Sequence, residues 1–287
     1  MKWSAVIMLF VAVLGGCRAH PDSTTQPTTQ QFTLTVNPPV AADRRDPKPT
    51  WQALIHLDIY QFDVPLGQIS QNEKFWKQVD ETRLGAELSR RLYDNGLRCG
   101  VVPKSQWSFF RNFVDDKSHP VVHQTIDGFR SDAVQLQLSR QVDAEDIFFF
   151  NSAGEAEGHT YKKCVNVVDL SFEPVARVPG VVRIALCPTI KQQADRVEYT
   201  PLDREFESTY DKVQRLYEAA VRADVPDDSF LIVSPGALAS RTTSIGGSFF
   251  IKNDPTEQFE QVLLIVPTLF QLDGKPMTVS TDALPHH

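Results

Sequence analysis

The stretch Val262-Leu263-Leu264-Ile265-Val266 is apolar at five consecutive positions. Neighbouring side chains of a β-strand point to opposite faces, so a strand with this sequence must be covered on both faces. It is expected either at the centre of the folded body or against a partner subunit. Glu257 and Glu260, just ahead of it, are expected to stay solvated in both cases.

Residues 120–280 are predicted to be mostly β, because short apolar or alternating runs recur ahead of this stretch. Their spacing predicts a sandwich or a curled antiparallel sheet. Ser244–Ser248, with its pair Gly246-Gly247, predicts a bulge or turn, and an anion-binding nest is the alternative. The predicted strands are 134–138, 147–150, 168–172, 182–186, 203–216, 217–225, 230–233, 249–251 and 262–266, with a turn at Pro179-Gly180, and a helix is the alternative for 203–216.

Residues 51–116 predict a smaller module with the order strand, helix, strand, helix. Leu54–Val64 is the first strand, and Ser70 with Glu73 has the spacing of a capping box. The helix that follows is expected to pack on this strand and to kink or restart at residues 80–83. Its apolar stripe is Trp76, Val79, Leu84, Leu88 and Leu92, and Asn95-Gly96 is its left-handed end.

The second strand of this module is predicted at Leu97–Val102, and a short helix is predicted through Phe113. The fold class is therefore α+β: the module at 51–116 is followed by a mostly antiparallel β domain at 117–274.

The composition supports a folded body of one large domain or two small ones. The chain has 287 residues, of which 41% are hydrophobic, and a formal net charge of −7. A nucleic-acid-binding protein usually shows a basic patch, so no nucleic acid is expected as a partner.

Three cysteines, Cys99, Cys164 and Cys187, lie in apolar, strand-like sequence. They are expected to be buried small hydrophobic residues. The alternative is one disulfide, between Cys164 and Cys187 on neighbouring strands.

The sequence lacks the spacings that carry common chemistries: it has no nucleophile elbow, Cys-x-x-Cys, His-Glu-x-x-His, phosphate loop or dinucleotide fingerprint. His119 and His123 are four apart, but Pro120 and the valines after it predict a strand, so they are not expected to bind a metal. The sequence therefore predicts no catalytic residue, cofactor or metal ligand. The acidic pairs Asp115-Asp116, Glu145-Asp146 and Asp227-Asp228 are predicted to be solvated loop residues, because neighbours on a strand point apart.

Residues 1–16 predict a signal peptide, because Lys2 precedes a short apolar run that ends in small residues. The closing Leu14-Gly15-Gly16-Cys17 resembles the lipobox of bacterial lipoproteins. This resemblance implies a diacylglyceryl group on the Cys17 sulfur, cleavage before Cys17, and acylation of the new amino terminus, with palmitate among the acyl chains. The alternative is an ordinary secretory signal with a chance cysteine.

The lipobox implies a protein anchored in a lipid bilayer of the bacterial envelope. By the sorting rule of enterobacterial lipoproteins, Arg18 favours the outer membrane, facing the periplasm. Residues 17–50, rich in Pro, Thr and Gln, are expected to form a flexible tether that reaches about 30 Å. Within it, Phe32–Val36 alternates and could add an edge strand, and residues 275–287 are expected to form a frayed tail.

Residues 165–270 resemble the β-domain of secretins, the outer-membrane channels of secretion systems. The resemblance lies in three segments, 179–190, 227–233 with Gly246-Gly247, and 260–269. The chain has Asp228 where secretins have the glycine of an Asp-Gly turn, and it has no lip or gate region of secretin length. The resemblance therefore implies a related sheet rather than a pore, and the module at 51–116 is similar to periplasmic ring domains.

These features together predict a non-enzymatic envelope lipoprotein that binds another protein or self-assembles, with a secretin-like sheet. The alternatives are an envelope hydrolase with dispersed catalytic residues and a carrier of a small apolar ligand. A deep pocket with convergent titratable groups would favour the hydrolase, and a dry cavity would favour the carrier. An exposed apolar patch or open sheet edge would favour assembly.

Overall fold

The computed structural model describes residues 53–116, 118–139, 141–176, 178–193, 210–240 and 243–271. In these residues the backbone forms two six-stranded sheets in which every pair of neighbouring strands is antiparallel. A few short helices connect or cover the strands. The predicted α+β class, dominated by antiparallel strands, is confirmed.

The bounds of the elements agree with most of the predicted runs. The strands are β1 (Ala53–Pro65), β2 (Leu97–Pro103), β3 (Val121–Gly128), β4 (Ser131–Gln137), β5 (Val142–Phe150), β6 (Ala156–Pro174), β7 (Val181–Gln193), β8 (Tyr210–Arg215), β9 (Val221–Pro226), β10 (Ser229–Pro235), β11 (Ile251–Asn253) and β12 (Gln258–Gln271). The α-helices are α1 (Glu73–Trp76), α2 (Ala86–Asp94), α3 (Trp107–Val114) and α4 (Ile245–Phe250), and 3₁₀ turns lie at Thr82–Leu84, Lys104–Gln106, Tyr217–Ala219 and Ala237–Ser240.

The first sheet, sheet A, has the strand order β2-β10-β12-β1-β3, and β11 also pairs with β12. β12 contains the apolar stretch 262–266 and lies at the centre of this sheet. It pairs with β1 from Ala53↔Gln271 to Pro65↔Phe259, and with β10 on its other side. Val262 to Ile265 have no exposed surface. Of the two alternatives for this stretch, the interior strand is therefore the one observed.

The second sheet, sheet B, has the order β4-β6-β7-β8, with β5 beside β6 and β9 beside β7. The long strand β6 has 19 residues, so β4 and β5 pair with successive parts of it. Gly180, with φ 79°, makes the predicted turn before β7. Glycine enters this left-handed region without steric cost, which explains why the chain turns at this position.

Two apolar clusters divide the interior into layers. The larger one contains residues from both sheets, including Ile55, Leu57 and Ile59 on β1 and Leu170 on β6. The smaller one lies on the other face of sheet A, where aromatic rings such as Phe110 and Phe230 pack together. Sheet A is therefore buried on both faces, which explains the continuous apolar sequence of β12.

The predicted helix after Ser70 is divided into α1, a 3₁₀ turn and α2, and the break falls at the predicted polar interruption. The stripe divides in the same way. Trp76 and Val79 pack in the smaller cluster with Phe62, whereas Leu88 and Leu92 join the larger cluster. The two halves of the stripe therefore lie in the two different clusters. Each cluster contains residues of β1, from opposite faces of that strand.

The predicted capping box at Ser70 and Glu73 is wrong. Asn72 caps α1 instead, because its side-chain oxygen accepts from the amides of Lys74 and Phe75 at 3.1 and 3.2 Å. The Ser70 hydroxyl donates a hydrogen bond to the Glu260 carboxylate on β12, so it does not cap the helix.

Two predicted strands also differ from the structure. The run 217–225 begins with a 3₁₀ turn, so its strand starts at Val221, and the run 249–251 lies mostly in α4. Ser244 caps α4 by accepting from the Gly247 amide at 3.0 Å, so this stretch forms neither a bulge nor an anion nest. A Cβ on Gly246 would lie 1.8 Å from the Gly96 oxygen, so glycine is required where α4 meets the end of α2.

The predicted boundary at residue 116 crosses a single sheet. β1 and β2, from the module at 51–116, pair with β12 and β10, from the predicted domain at 117–274. In the described residues the two parts therefore form one unit. The predicted segments 1–16, 17–50 and 275–287 lie outside the described residues, as does 203–209.

Candidate functional site

The leading candidate is the outer edge of sheet A, formed by β3. This strand pairs with β1 from Phe62↔Val121 to Ile55↔Gly128, and no other described strand pairs with it. Eight residues at about 3.3 Å each give an edge about 26 Å long. The backbone groups on its outer side are a template for pairing with another strand.

Apolar side chains accompany this edge. Val122 is 49% exposed, and Phe129, directly after the strand, is 54% exposed. Ile126, on the same face of β3 as Val122, packs against the larger apolar cluster. A strand added to β3 would therefore cover Val122 and extend that cluster. We call β3 together with Phe129 the open edge.

A network of histidine and aspartate side chains holds β3 against β1 on its opposite face. His56 Nδ1 lies 2.7 Å from Asp127 Oδ1, and its Nε2 lies 3.5 Å from Asp58 Oδ2. His123 Nε2 lies 2.8 Å from the other oxygen of Asp58, and its ring stacks on Tyr60 at 4.4 Å. Burial, followed by the Asp58 charge, raises the pKa of Tyr60. The network fixes the position of the open edge relative to the sheet.

The two histidines singled out by their spacing do not come together. His123 lies in β3, as the strand prediction required, whereas the His119 ring contacts that of Phe259 at 5.5 Å. Within the described ranges no three His, Cys, Asp or Glu side chains have the geometry of a metal site.

The acidic pairs each have partners within the protein. Asp115 pairs with Arg111 at 2.8 Å, and Asp116 accepts from the Ser118 hydroxyl at 2.7 Å. At the turn Asp227-Asp228, burial raises the pKa of Asp227 while the Lys104 charge lowers it. Adjacent carboxylates thus make separate contacts.

Glu145 and Asp146 lie in β5 rather than in a loop, which corrects the prediction for this pair. Their side chains point to opposite faces, as expected for strand neighbours. Asp146 accepts from the Thr160 hydroxyl at 2.6 Å, and Glu145 accepts from Asn166 Nδ2 at 2.8 Å. Burial raises the pKa of Glu145, and the hydrogen bond from Asn166 partly offsets that rise.

Glu260 is fully buried, so the prediction that it stays solvated is wrong. Its carboxylate accepts from the backbone amides of Gly67, Ile69 and Ser70 at 2.7, 2.9 and 2.9 Å, and from the Ser70 hydroxyl. These donors replace the water that burial removes. The contact joins positions about 190 apart, and no local sequence signal could have indicated it.

Cys99, Cys164 and Cys187, the cysteines of the described residues, are free thiols. Cys99 and Cys164 are buried, which confirms their prediction as small hydrophobic residues, and Cys187 is partly buried. The alternative disulfide is not formed, because the neighbours across the strands are Gln192 for Cys164 and Asp169 for Cys187. Burial raises the pKa of the Cys164 thiol to about 11, which disfavours the reactive thiolate.

Comparisons with known proteins give only distant likenesses. No protein family and no curated protein matches the chain. Among solved structures it is similar to the secretin domain of InvG from the Salmonella SPI-1 injectisome, with 9% identity and a TM-score of 0.21 over 81% of this chain. It is also similar to the Klebsiella pneumoniae type II secretion system outer membrane complex of PulD, PulS and the PulC HR domain, with 9% identity and a TM-score of 0.19 over 77% of this chain.

The matches span 65% and 40% of those two chains. They amount to a weak structural resemblance to secretin β-domains, too distant to support an argument about activity. None of the helices in the described residues has the length and apolar character needed to cross a membrane. Cys17 lies outside the described residues.

Proposed function

We propose that this protein is a non-enzymatic component of the bacterial envelope that binds another envelope protein by strand addition at the open edge. In this proposal, acylated Cys17 holds the chain at the outer membrane on the periplasmic side, and residues 17–50 are the tether. The lipobox-like sequence and the composition of residues 17–50 support the anchor. Two observations support binding. No described strand pairs with the outer side of β3, and the Val122 side chain on this strand is half exposed.

Strand addition uses groups that the fold already provides. Backbone hydrogen bonds along β3 would supply affinity, and alternate side chains of the added strand would supply specificity. Those that face Val122 and Ile126 would enter an apolar environment, because Ile126 borders the larger cluster. The histidine–aspartate network keeps β3 in place, so little ordering would be needed on binding.

The proposal includes kinship of the β-rich part with secretin β-domains, without a pore. It rests on the three sequence segments described above. Residues 179–190 contribute to β7, 227–233 to the turn before β10 and to β10 itself, and 260–269 to β12.

A charge placed on the open edge tests the proposal. Val122→Lys puts an ammonium on the face of β3 that the side chains of an added strand would cover, and lysine on an edge strand is a device by which natural edges prevent pairing. Val178→Lys is the matched control, because Val178 is 41% exposed and lies outside the strands. Full chains with each substitution would be cross-linked in native envelopes and purified in detergent.

We expect wild type and Val178→Lys to give the same cross-linked partner, and Val122→Lys to lose at least nine tenths of it. Melting temperatures would verify that both variants fold. Equal recovery of the partner with all three chains would reject strand addition at β3. Sedimentation of the purified chain would show whether the partner is a second copy.

A further inference from the structure

The sequence of the open edge is complementary to a second copy of itself. Two copies of one strand that pair antiparallel are related by a two-fold axis perpendicular to the sheet, so residues opposite each other share a face. The open edge covers residues 121–129, and Thr125 is its central residue. With the axis at Thr125, each of these residues therefore has a partner in the second copy. We call this arrangement the Thr125 register.

On the face that carries the histidine–aspartate network, the Thr125 register places compatible side chains opposite each other. His123 lies opposite Asp127 of the second copy, and both side chains are exposed. Thr125 lies opposite Thr125 of the second copy. Opposite charges and Thr–Thr pairs both stabilise antiparallel strands, and no like charges meet here. Val121 lies opposite Phe129 of the second copy, so that half-exposed ring gains an apolar neighbour.

The histidine–aspartate network leaves one atom of each of these two polar side chains available. His123 uses Nε2 toward Asp58 at 2.8 Å, and Asp127 uses Oδ1 toward His56 at 2.7 Å. Neither His123 Nδ1 nor Asp127 Oδ2 has a hydrogen bond or ion pair within the described residues. A protonated imidazole donates from both ring nitrogens. In that form His123 would keep its contact with Asp58 and also donate to Asp127 of the second copy.

On the other face, the Thr125 register covers the apolar part of the open edge. Val122, which is 49% exposed, lies opposite Gly128 of the second copy, where no side chain competes for the space. Val122 then reaches diagonally toward Ile126 of the second copy, and Ile126 packs against the larger apolar cluster. Gln124 lies opposite the same Ile126. By symmetry the second copy gains the same contacts, so the apolar clusters of both copies are extended.

Other registers lose these pairs. An axis one residue earlier places Asp127 opposite Val121 of the second copy. An axis one residue later places Val122 opposite Arg130 of the second copy. Each shift separates His123 from Asp127 and sets a charge against an apolar side chain. The sequence of the open edge therefore favours the Thr125 register.

We propose that the strand added at the open edge is β3 of a second copy of this chain, paired in the Thr125 register. This inference rests on the proposed function, because it names the partner for strand addition. The two copies of sheet A would join into one continuous sheet. The contact is only about 26 Å long, so the proposed anchors, by holding both copies in one membrane, would favour it through a higher local concentration.

Cysteine cross-linking of full chains in native envelopes tests the register. Residues opposite each other in an antiparallel pair have Cα atoms about 4.5–5.5 Å apart, which a disulfide can span. Thr125→Cys would face its own copy. Val122→Cys is the matched control, because Val122 is exposed on the same strand but would lie about 20 Å from Val122 of the second copy. Both variants and wild type would be treated with a mild oxidant.

We expect Thr125→Cys to give a disulfide-linked product of twice the chain mass, at least tenfold more than Val122→Cys or wild type. Differently tagged Val122→Cys and Gly128→Cys chains, produced together, should form a mixed dimer, whereas neither should form one alone. A Cβ at Gly128 would lie 3.5 Å from its nearest atoms, which is an ordinary contact, so this variant should fold. The mixed pair therefore tests the register independently of Thr125→Cys.

Equal yields from Thr125→Cys and Val122→Cys would reject the Thr125 register, and so would the absence of product from both Thr125→Cys and the mixed pair. Adding Val122→Lys to the Thr125→Cys chain should lower the dimer yield at least tenfold, and an unchanged yield would overturn pairing through β3. If Val122→Lys removes a partner of another mass while no cysteine dimer forms, strand addition stands and the second copy is rejected. The two proposals can thus fail separately.

Discussion

Glu260 shows how a single side chain can connect the two ends of the described chain. Its carboxylate has no exposed surface, and its four donors come from Gly67, Ile69 and Ser70, in the loop directly after β1. Gly67 has φ 86°, which lets the chain turn back toward β12. The loop therefore depends on a residue that is distant in sequence.

Glu260→Gln should destabilise the protein by about 3 kcal/mol, because an amide has one acceptor oxygen and its NH₂ group would face the donors of the loop. Glu257→Gln is the matched control, since Glu257 is exposed, and its effect should lie within about 0.5 kcal/mol. Urea denaturation of the full chain measures both. Similar midpoints for the two variants would contradict the role given to the Glu260 carboxylate.

At the scale of elements, α2 packs against the larger cluster mainly through its last turn. Leu92 is 1% exposed, whereas Leu88 is only partly buried. The apolar stripe alone does not distinguish these two leucines, because the difference depends on which elements cover each one.

Leu92→Ala should lower the free energy of unfolding by about 2–5 kcal/mol, the usual cost of truncating a core leucine. Leu88→Ala should cost about half as much, since water already reaches part of its side chain. Denaturant midpoints of the two variants provide the comparison. A larger loss from Leu88→Ala would place the centre of this contact one turn earlier in α2.

The sequence predicted elements where one local pattern dominates, and it failed where distant residues meet. The alternation in β1 and the apolar run in β12 were enough to place both strands. α4 was missed because the need for glycine at Gly246 comes from the backbone of Gly96, about 150 positions earlier. Pro120 and the valines after it predicted that β3 is a strand. That β3 lies at the edge of sheet A follows from the order of the strands, which the local sequence does not indicate. The sequence therefore predicted the strand β3, but it did not predict that this strand forms the candidate site.

For the whole molecule, the prediction with the largest consequence is the anchor. Cys17→Ser should abolish incorporation of labelled palmitate and release the protein from membranes, because in the proposed anchor the Cys17 sulfur is the atom that carries the lipid. Cys187→Ser is the control and should leave both unchanged, since Cys187 is a free, partly buried thiol of the folded body. Label in the Cys17→Ser chain at the wild-type level would exclude this anchor.

The central pairing of sheet A joins its first and last described strands, and cross-strand neighbours such as Asp63 and Gln261 are 198 positions apart. Bringing such distant segments together lowers the entropy of the chain before the contacts between them form. Proteins with many contacts of this kind, which have a high contact order, fold slowly. Moreover, β1 has only the edge strand β3 to pair with until β12 has been synthesised. A nascent chain of this protein therefore cannot complete sheet A until β12 has left the ribosome, so the larger apolar cluster, which contains residues of both sheets, stays incomplete until then.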